Sequence, residues 1–442
     1  MEIAVIGAGV AGLGAAYMLG QRHRVTLYER NSYLGGHSNT VDVDVDGRRV
    51  PVDTGFIVYN ERNYPNLTRL FGHLAVPTEP SEMSFAVSIA GDDGRAPLEY
   101  GGGSLGQLFA QKRNLASPRF LGMIADVLRF FSHARGLIEN EAGADADMSL
   151  GAFLADGRYG DMFVYDHLLP MAAAIWSCPL QTMLAFPARS FARFFHNHGL
   201  LNLTDRPRWR TVSGGSREYV RRLAAALDAR PGQAATAVLR DETGAIVHDN
   251  RGGSRRFDQI VIATHADEAL TLLDRPSPEE AGLLGAFRYQ RNRAVLHSDD
   301  RLMPGDRRIW SSWNYMAAGA RDAERRVAVT YWMNLLQNID RAKPLFVSLN
   351  PIVEPRPERV YAGFDYDHPI FDAGAIGAQK RLGTIQGRNR VWFCGSYCGY
   401  GFHEDALSAA ISVARALGAA APWEVRAANV NAASALAPAA DD

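Results

Sequence analysis

The chain has 442 residues, of which 47% are hydrophobic and 21% charged, so it can bury a large core divided among two or three domains. Its formal net charge is −1, which provides no overall basic field for a polyanion and excludes nucleic acid as an expected partner. Three cysteines argue against a disulfide framework and favour a reducing compartment. Since Met1 leads directly into an apolar strand and no run of about 18 apolar residues follows, we expect a cytoplasmic protein.

The N-terminal segment EIAVIGAGVAGLGAAYML is typical of a short apolar strand, a glycine turn and a helix. Gly7 permits the tight turn, Gly9 lets the backbone approach a pyrophosphate, and Gly12 lets the helix pack on the strand. Ala11, in the first turn of that helix, is a further candidate contact. A second strand ends in Glu29, where a carboxylate can accept hydrogen bonds from an adenosine ribose. This order of elements predicts dinucleotide binding.

The residues after Glu29 favour FAD over NAD. In ERNSYLGGHSNT a glycine doublet follows Glu29 by six and seven residues. The doublet resembles that of FAD-dependent amine oxidases, phytoene-type desaturases and their relatives, whose usual pattern is Gly-Gly-Arg. This chain has His37 in place of the arginine. The resemblance implies cofactor contacts from Arg30, Gly36, His37 and Ser38.

Three later segments are similar to the remaining cofactor-binding pieces of that superfamily. TVDVDVDGRRVPVDTGFIV is a predicted hairpin with an Asp-Gly turn, and TAVLRDETGAIVHD and RFDQIVIATHADEAL are a hairpin and a βα unit. Read from their residues alone, the last two have no assigned role. The resemblance places Asp53, Thr54, Gly55 and Phe56 near the flavin, the backbone of Val238 at the adenine, and Ala263 and Thr264 near the nucleotide.

The segment NRVWFCGSYCGYGFHEDALSAAISVARALG predicts a strand, a loop of glycines and aromatic residues, and a helix from about Glu404 to Leu417. A helix N-terminus stabilises the negative charge that a flavin gains on reduction. The resemblance implies that Gly395 and Ser396 lie at the ribityl chain or pyrophosphate, and that His403 offers its backbone N–H to the flavin. Phe402 matches the position of a tyrosine in the aromatic cage of monoamine oxidases. The candidates on the substrate side are Tyr397, Tyr400, Phe402 and Trp332.

The same segment permits a zinc site, because Cys394, Cys398 and His403 have tolerable ligand spacing. A fourth ligand is missing, and a small buried residue is the commoner fate of an intracellular cysteine. We therefore expect no metal. We also expect non-covalent FAD, with a link through Cys394 or Cys398 as the alternative.

The predicted fold class is α/β, with a Rossmann-like FAD-binding domain of the glutathione-reductase type, discontinuous in sequence, and an inserted α+β substrate domain. We assign residues 1–79, 205–265 and 386–420 to the FAD-binding domain, residues 80–204 and 266–385 to the substrate-binding domain, and residues 421–442 to a disordered tail. An amphipathic helix in SPRFLGMIADVLRFFSHARGLIE either contacts the inner membrane peripherally or is a core helix with a basic solvent face.

Within the superfamily, RPRWRTVSGGSREYV, YWMNLLQ and GYGFHEDAL resemble a bacterial flavoprotein group linked to cyclopropane-fatty-acid-synthase-like methyltransferases, which includes the fatty acyl desaturase of furan fatty acid formation. The resemblance implies oxidation of a methylated, unsaturated acyl chain, on a phospholipid, by hydride transfer to flavin N5. No catalytic side chain is assigned. Two alternatives stay open: an amine oxidase and a non-redox flavin-dependent isomerase. Lys343 reads as a turn residue rather than as the lysine that amine oxidases place near N5.

Overall fold

A computed structural model shows the strand Glu2–Ile6 at the centre of a five-stranded parallel sheet. It describes residues 1–91, 96–139, 148–176, 178–202, 204, 206–241, 244–319 and 325–424. The strands in these ranges are β1 (Glu2–Ile6), β2 (Arg24–Tyr28), β3 (Thr40–Val45), β4 (Arg48–Asp53), β5 (Val58–Asn60), β6 (Thr78–Ser81), β7 (Phe85–Ile89), β8 (Leu98–Gly101), β9 (Trp209–Val212), β10 (Asp228–Arg230), β11 (Ala235–Asp241), β12 (Gly244–Asp249), β13 (Ser254–Phe257), β14 (Gln259–Ile262), β15 (Arg288–His297), β16 (Trp313–Ala318), β17 (Arg326–Trp332), β18 (Phe346–Leu349), β19 (Val360–Ile370) and β20 (Val391–Phe393).

The α-helices in the same ranges lie on both faces of this sheet and over a second, larger sheet. They are α1 (Val10–Leu19), α2 (Pro65–His73), α3 (Leu105–Leu108), α4 (Pro118–Glu139), α5 (Leu150–Asp156), α6 (Asp161–Phe163), α7 (Leu169–Trp176), α8 (Leu180–Leu184), α9 (Ala188–Asn197), α10 (Arg217–Ala224), α11 (Ala266–Leu272), α12 (Pro278–Leu284), α13 (Met333–Leu336), α14 (Ala373–Gln379) and α15 (His403–Ala416). None of these helices is both long and apolar enough to cross a membrane.

The parallel sheet has the strand order β10, β2, β1, β14, β20. Its central strands are continuous apolar runs because both faces are covered, which is usual for parallel sheets. Val5 and Val261 pack with α1 and α15 on one face, while Ile6 and Ile262 pack with β11, β12 and α11 on the other. The predicted fold class is confirmed.

The second large sheet has seven strands in the order β19, β15, β18, β17, β16, β7, β8. Its pairing is antiparallel except between β7 and β16, whose register pairs Phe85 with Trp313. Helix α7 packs on β16 and β17, and helices α4 and α9 pack on each other through aromatic side chains. Strands from two separate stretches of chain, residues 85–101 and 288–370, therefore build one sheet.

Two segments that we assigned to the substrate domain pack instead with the parallel sheet. Side chains from residues 266–287 and 373–385 share a core with Ile260, Ile262 and Phe393. The reason is that α11 follows β14 directly and folds back over the same face, as in any βα unit, and α12 and α14 then pack beside it. These two segments therefore pack with the parallel sheet rather than with the seven-stranded sheet.

The start of the predicted disordered tail is also packed. Ala421 and Trp423 are buried in the core formed by α1 and α15, and the Trp423 ring lies 6.0 Å from that of His73. One large aromatic ring is enough to hold these residues against the core. The rest of the predicted tail, residues 425–442, lies outside the described residues.

Asp53, which we expected near the flavin, instead ties the N-terminal hairpin to the rest of the fold. Its buried carboxylate accepts hydrogen bonds from the Ser216 backbone N–H at 2.9 Å, from the Thr40 hydroxyl at 2.6 Å and from the Gln337 amide at 3.0 Å. Burial outweighs these bonds and raises the pKa of Asp53 to about 6.

Replacing Asp53 should therefore change how stability depends on pH. The stability contributed by this raised pKa is full below the unfolded pKa of 3.8 and is lost progressively as pH rises from there through about 6. In Asp53→Asn that loss is absent. We therefore compare the free energies of unfolding of Asp53→Asn and of the natural protein, measured by urea denaturation. The difference, variant minus natural protein, should rise by about 1.4 kcal/mol between pH 5 and pH 8. An equal rise in Asp46→Asn, on the exposed tip of the same hairpin, would contradict this account.

Candidate cofactor and substrate cavity

A cavity of about 780 Å³ lies where the carboxyl ends of β1, β2 and β14 face the seven-stranded sheet. Residues that follow these three strands line one end of it, and side chains from β16 to β19 line the other. Ligands of open α/β sheets bind at the carboxyl ends of the strands. The volume is within the range of ligand pockets, about 300 to 1,000 Å³.

The glycine turn after β1 forms the floor of the first end. Gly7 has a φ of +97°, and a Cβ there would lie 2.9 Å from the carbonyl oxygen of Ala263. A Cβ on Gly12 would lie 1.8 Å from the Gly7 oxygen, so Gly12 is a packing glycine beneath the cavity. A Cβ on Gly9 would meet nothing within 4 Å. Gly9 and Ala11 line the cavity at the start of α1, where backbone N–H groups favour an anion.

Glu29 and Arg30 lie beside this turn, at the end of β2. The Glu29 carboxylate is buried and accepts hydrogen bonds from the backbone N–H groups of Ala8 and Asn31, both at 2.8 Å. A carboxylate has about four lone-pair sites, so two remain for ribose hydroxyls. Arg30 is paired with Glu268 at 2.6 Å. Both acids and the arginine line the cavity, as a nucleotide site requires.

The glycine doublet and the hairpin close the cavity from a second side. Gly36 has a φ of +57°, and a Cβ there would lie 3.2 Å from the Gly9 Cα. Gly55 approaches the His37 carbonyl so closely that a Cβ would lie 2.2 Å from its oxygen. Thr54, Gly55 and Phe56 line the cavity, and the Thr54 hydroxyl hydrogen-bonds with that of Tyr366 at 2.7 Å. Backbone from the doublet and the hairpin is therefore presented to any bound cofactor.

The C-terminal segment supplies the third wall, with Gly395, Ser396, Tyr397, Tyr400, Phe402 and His403 all lining the cavity. Helix α15 begins at His403, and the Asp405 carboxylate accepts the Phe402 N–H at 2.9 Å. Burial raises the pKa of Asp405 to about 6. The His403 ring stacks on Phe56 at 3.9 Å, and burial lowers its pKa to about 3, so the ring is neutral.

Three histidine rings cluster next to the glycine turn, and the sequence reading singled out only one of them as a contact. His37 lies 6.2 Å from His265 and 5.4 Å from His368 between ring centroids. The His368 Nδ1 accepts the Asn292 amide at 2.9 Å. Burial, together with the neighbouring rings, lowers the pKa of His37 well below its usual value, and burial lowers that of His368 to about 4. The rings of His37 and His368 are therefore neutral at pH 7.

The opposite end of the cavity is aromatic and apolar. Trp313 and Tyr331 meet edge to face at 5.0 Å, and Phe402 stacks at 5.2 Å on Phe194 of α9. A second cavity of about 240 Å³ shares the side chain of Leu349 with the first. The residues that line the apolar end are Ile175, Trp176, Trp313, Tyr331, Leu349, Phe371, Tyr400 and Phe402.

Besides Gly12 and Asp53, three predicted contacts do not line the cavity. Ser38 turns inward, where its hydroxyl bonds to Tyr219 and to His403 Nε2. Val238 lies in β11 and pairs with Val247 on one side and with Leu273 on the other. Trp332 ends β17 on the face opposite to Tyr331, because strand side chains alternate, and packs on Trp310 at 5.3 Å. Residues 234–236, before Val238, and Tyr331, before Trp332, line the cavity instead.

Neither Cys394 nor Cys398 lines the cavity. Burial raises the pKa of Cys398 to about 12 and that of Cys394 further, so both thiols stay protonated at neutral pH. Within the ranges that the structure describes, no group of three or more His, Cys, Asp or Glu side chains is arranged to hold a metal ion.

Comparisons with known proteins bear on this geometry. The family model for flavin-containing amine oxidoreductases matches residues 10–295. The 4,4'-diapophytoene desaturase (4,4'-diaponeurosporene-forming) of Staphylococcus aureus is 51% identical over 45 residues, which are 10% of this chain and 9% of that protein. The chain spans about a tenth of the length of the curated relatives that it matches.

Two solved structures are similar over nearly their whole length. The CLA-producing fatty acid isomerase from P. acnes has a TM-score of 0.64 and 16% identity, and 93% of this chain covers 98% of that one. Cyclohexylamine oxidase from Brevibacterium oxydans IH-35A has a TM-score of 0.65 and 15% identity, and 94% of this chain covers 99% of that one. At these identities the likeness shows the shared fold, which an isomerase and an oxidase both use.

The two glycines of the turn should respond differently to alanine. Gly9→Ala meets no neighbour and has a permitted φ of −71°, so the variant should fold normally, while its methyl group blocks the approach of a pyrophosphate. We expect FAD affinity, followed by flavin fluorescence, to fall at least tenfold with an unchanged melting temperature. Gly7→Ala should instead lower the melting temperature, because φ is +97° and Ala263 is close. Equal FAD affinity in Gly9→Ala and the natural protein would contradict the placement.

FAD affinity should also increase as pH falls. A diphosphate beside the buried rings of His37 and His368 raises their lowered pKa values, so binding takes up protons. For each proton taken up, the affinity rises by as much as about tenfold for each unit by which the pH falls. The nearby acids Glu29 and Glu268 reduce this effect. We expect FAD to bind more tightly at pH 6 than at pH 8, with a smaller difference in His37→Gln. The exposed His196→Gln is the control, and a pH-independent affinity would contradict the prediction.

Proposed function

The chain belongs to the flavin-containing amine oxidoreductase family, and on that premise we propose that it is an FAD-dependent oxidoreductase that desaturates a lipid. The proposed substrate is a methylated, unsaturated fatty acyl chain of a phospholipid, and the proposed reaction removes hydrogen next to its double bond. FAD is proposed to bind non-covalently, because neither of the cysteines in the C-terminal wall faces the cavity.

The observation that carries this proposal is the apolar end of the cavity. Trp176, Trp313, Tyr331 and Leu349 form a surface suited to a hydrocarbon chain, which gains by leaving water for such a slot.

An amine substrate is a poorer match, because its ammonium group requires a carboxylate partner. Of the five acids that line the cavity, Glu29, Asp267 and Glu268 belong to the nucleotide end, and Asp365 is paired with Arg291 at 2.5 Å. That leaves Asp367 of β19, opposite Arg291 in the sheet register, as the one lining carboxylate that an ammonium group could meet. Lys343 is half exposed and bonded to Asp46 at 2.6 Å, outside the cavity. The chain's other lysines, Lys112 and Lys380, are exposed and do not line it either.

The residues of this chain would bind, orient and dry the substrate. FAD, when bound, would supply a hydride acceptor. Trp313 and Tyr331 hold the reacting C–H bond in place and exclude water from it. The N-terminal backbone of α15 at His403 favours negative charge at its edge of the cavity. Burial raises the pKa of Tyr400, so its hydroxyl acts as a hydrogen-bond donor rather than as a base.

A flavin-dependent lipid isomerase is the second candidate, favoured by the likeness to the fatty acid isomerase. Product analysis distinguishes the possibilities. We expect the FAD-loaded protein, incubated with oxygen and phospholipids carrying methylated unsaturated chains, to release an acyl product two hydrogens lighter than the substrate. A product of unchanged mass would identify an isomerase instead. Turnover of amines with release of peroxide, and none of lipids, would replace the proposal with amine oxidation.

Two neighbouring aromatic residues provide a matched test of the slot. Tyr331→Ala removes part of its wall, and the loss of one buried aromatic contact, about 1.5 to 3 kcal/mol, should raise the KM for the lipid tenfold or more. Trp332→Ala removes a larger ring from the opposite face and should leave the KM within about twofold. Similar KM changes in both variants, with similar melting temperatures, would contradict the assignment.

A further inference from the structure

The surface of α3, α4 and the turn between them carries an unusual concentration of exposed apolar side chains. Leu105 is 76% exposed, Leu115 56%, Leu121 46% and Leu128 50%. In the described part of the chain only five other large hydrophobic side chains are comparably exposed, and none of them lies between residues 34 and 352. Clustered exposure of this kind marks an interaction site rather than ordinary surface.

The exposure follows from the two faces of α4. Leu121 and Leu128 are seven residues apart, so they share one face about 10.5 Å apart along the helix axis. Phe120, Met123 and Phe130 point the other way and are buried. The helix therefore has one apolar stripe in the core and a second, shorter stripe that nothing in the described residues covers.

The charges on this surface that lack an ion-pair partner among the described residues are all of one sign. Residues 105–128 contain Lys112, Arg113 and Arg119 and a single acid, Asp126, which is paired with Arg129 at 2.7 Å. All three cations are exposed, and none forms an ion pair within the described residues; Arg113 donates to the backbone oxygens of residues 96 and 97. Exposed leucines flanked by unneutralised cations are what an anionic lipid surface binds, since the leucines enter the interface and the cations meet the headgroups.

We propose that α3, α4 and the turn between them, residues 105–128, form the surface by which this protein docks on an anionic phospholipid bilayer. This inference rests on the proposed function and extends it by naming the surface through which the protein reaches its lipid substrate. The buried face of α4 supports it: Phe130 packs against Phe191 and Phe195 of α9, whose Phe194 stacks on Phe402 at the cavity. One helix thus separates the docking surface from the apolar slot.

Vesicle binding tests the proposal, and it requires neither FAD nor turnover, so its failure is separable from a failure of the proposed function. The natural protein should sediment with vesicles of mixed phosphatidylglycerol and phosphatidylcholine, and far less with phosphatidylcholine alone. Each cation near an anionic surface contributes roughly fivefold, so Lys112→Glu with Arg119→Glu should reduce the partition coefficient at least tenfold. Leu121→Gln with Leu128→Gln should reduce it to a similar extent.

Val353→Gln, which removes a 54% exposed apolar side chain elsewhere, is the matched control and should bind like the natural protein. No sedimentation of the natural protein with anionic vesicles would overturn the proposal. Equal binding by the control and both double variants would do the same. So would a dimer that the leucine substitutions convert to monomers without vesicle binding, because the surface would then contact a second copy of this chain.

Discussion

Close packing of backbone against backbone at the carboxyl ends of β1 and β14 is the constraint on which the cavity depends. A Cβ at Gly7, Gly12 or Gly55 would lie within 3 Å of another segment's carbonyl oxygen or carbon, and one at Gly36 would press on Gly9. These approaches bring three distant stretches of chain to one point. Gly9, which also lines the cavity, differs from these four because a Cβ there would meet nothing within 4 Å. A larger residue at any of the packed positions would separate the walls before it altered any chemistry.

From this junction the cavity divides into two environments. Near the glycine turn it is polar, with Glu29, Arg30 and the buried rings of His37 and His368, which are neutral at pH 7. Toward the seven-stranded sheet it becomes aromatic and apolar. The backbone N–H groups at the start of α1 would favour the phosphates of a bound cofactor, and the aromatic side chains would favour an apolar substrate.

The sequence could predict the parts of the site that depend on local backbone geometry. Gly7, Gly36 and Gly55 occupy positions where a side chain would be strained or would clash, so the glycine pattern can be recognised from the sequence alone. The same holds for the central strands, which are apolar because both faces are covered. The predicted contacts at these glycines and at Glu29 all line the cavity.

The contacts that depend on long-range packing could not be read in the same way. His368 and Tyr366 reach the cavity only because β19 lies at the edge of a sheet assembled from distant segments. Trp332 lies on an aromatic strand predicted to wall the cavity, but strand alternation turns it away and presents Tyr331. Val238 does not contact the cavity, because its backbone is already paired with a neighbouring residue on each side.

The most direct test of the account is the reduction of the flavin by substrate in the absence of oxygen. The FAD-loaded protein would be mixed anaerobically with phospholipids that carry methylated unsaturated chains, and separately with amines, while the visible absorption band of the flavin is recorded. The account predicts that the lipids bleach the band with a stoichiometry of one acyl chain per flavin and that the amines do not. Bleaching by amines alone, or a protein that does not take up FAD, would contradict it.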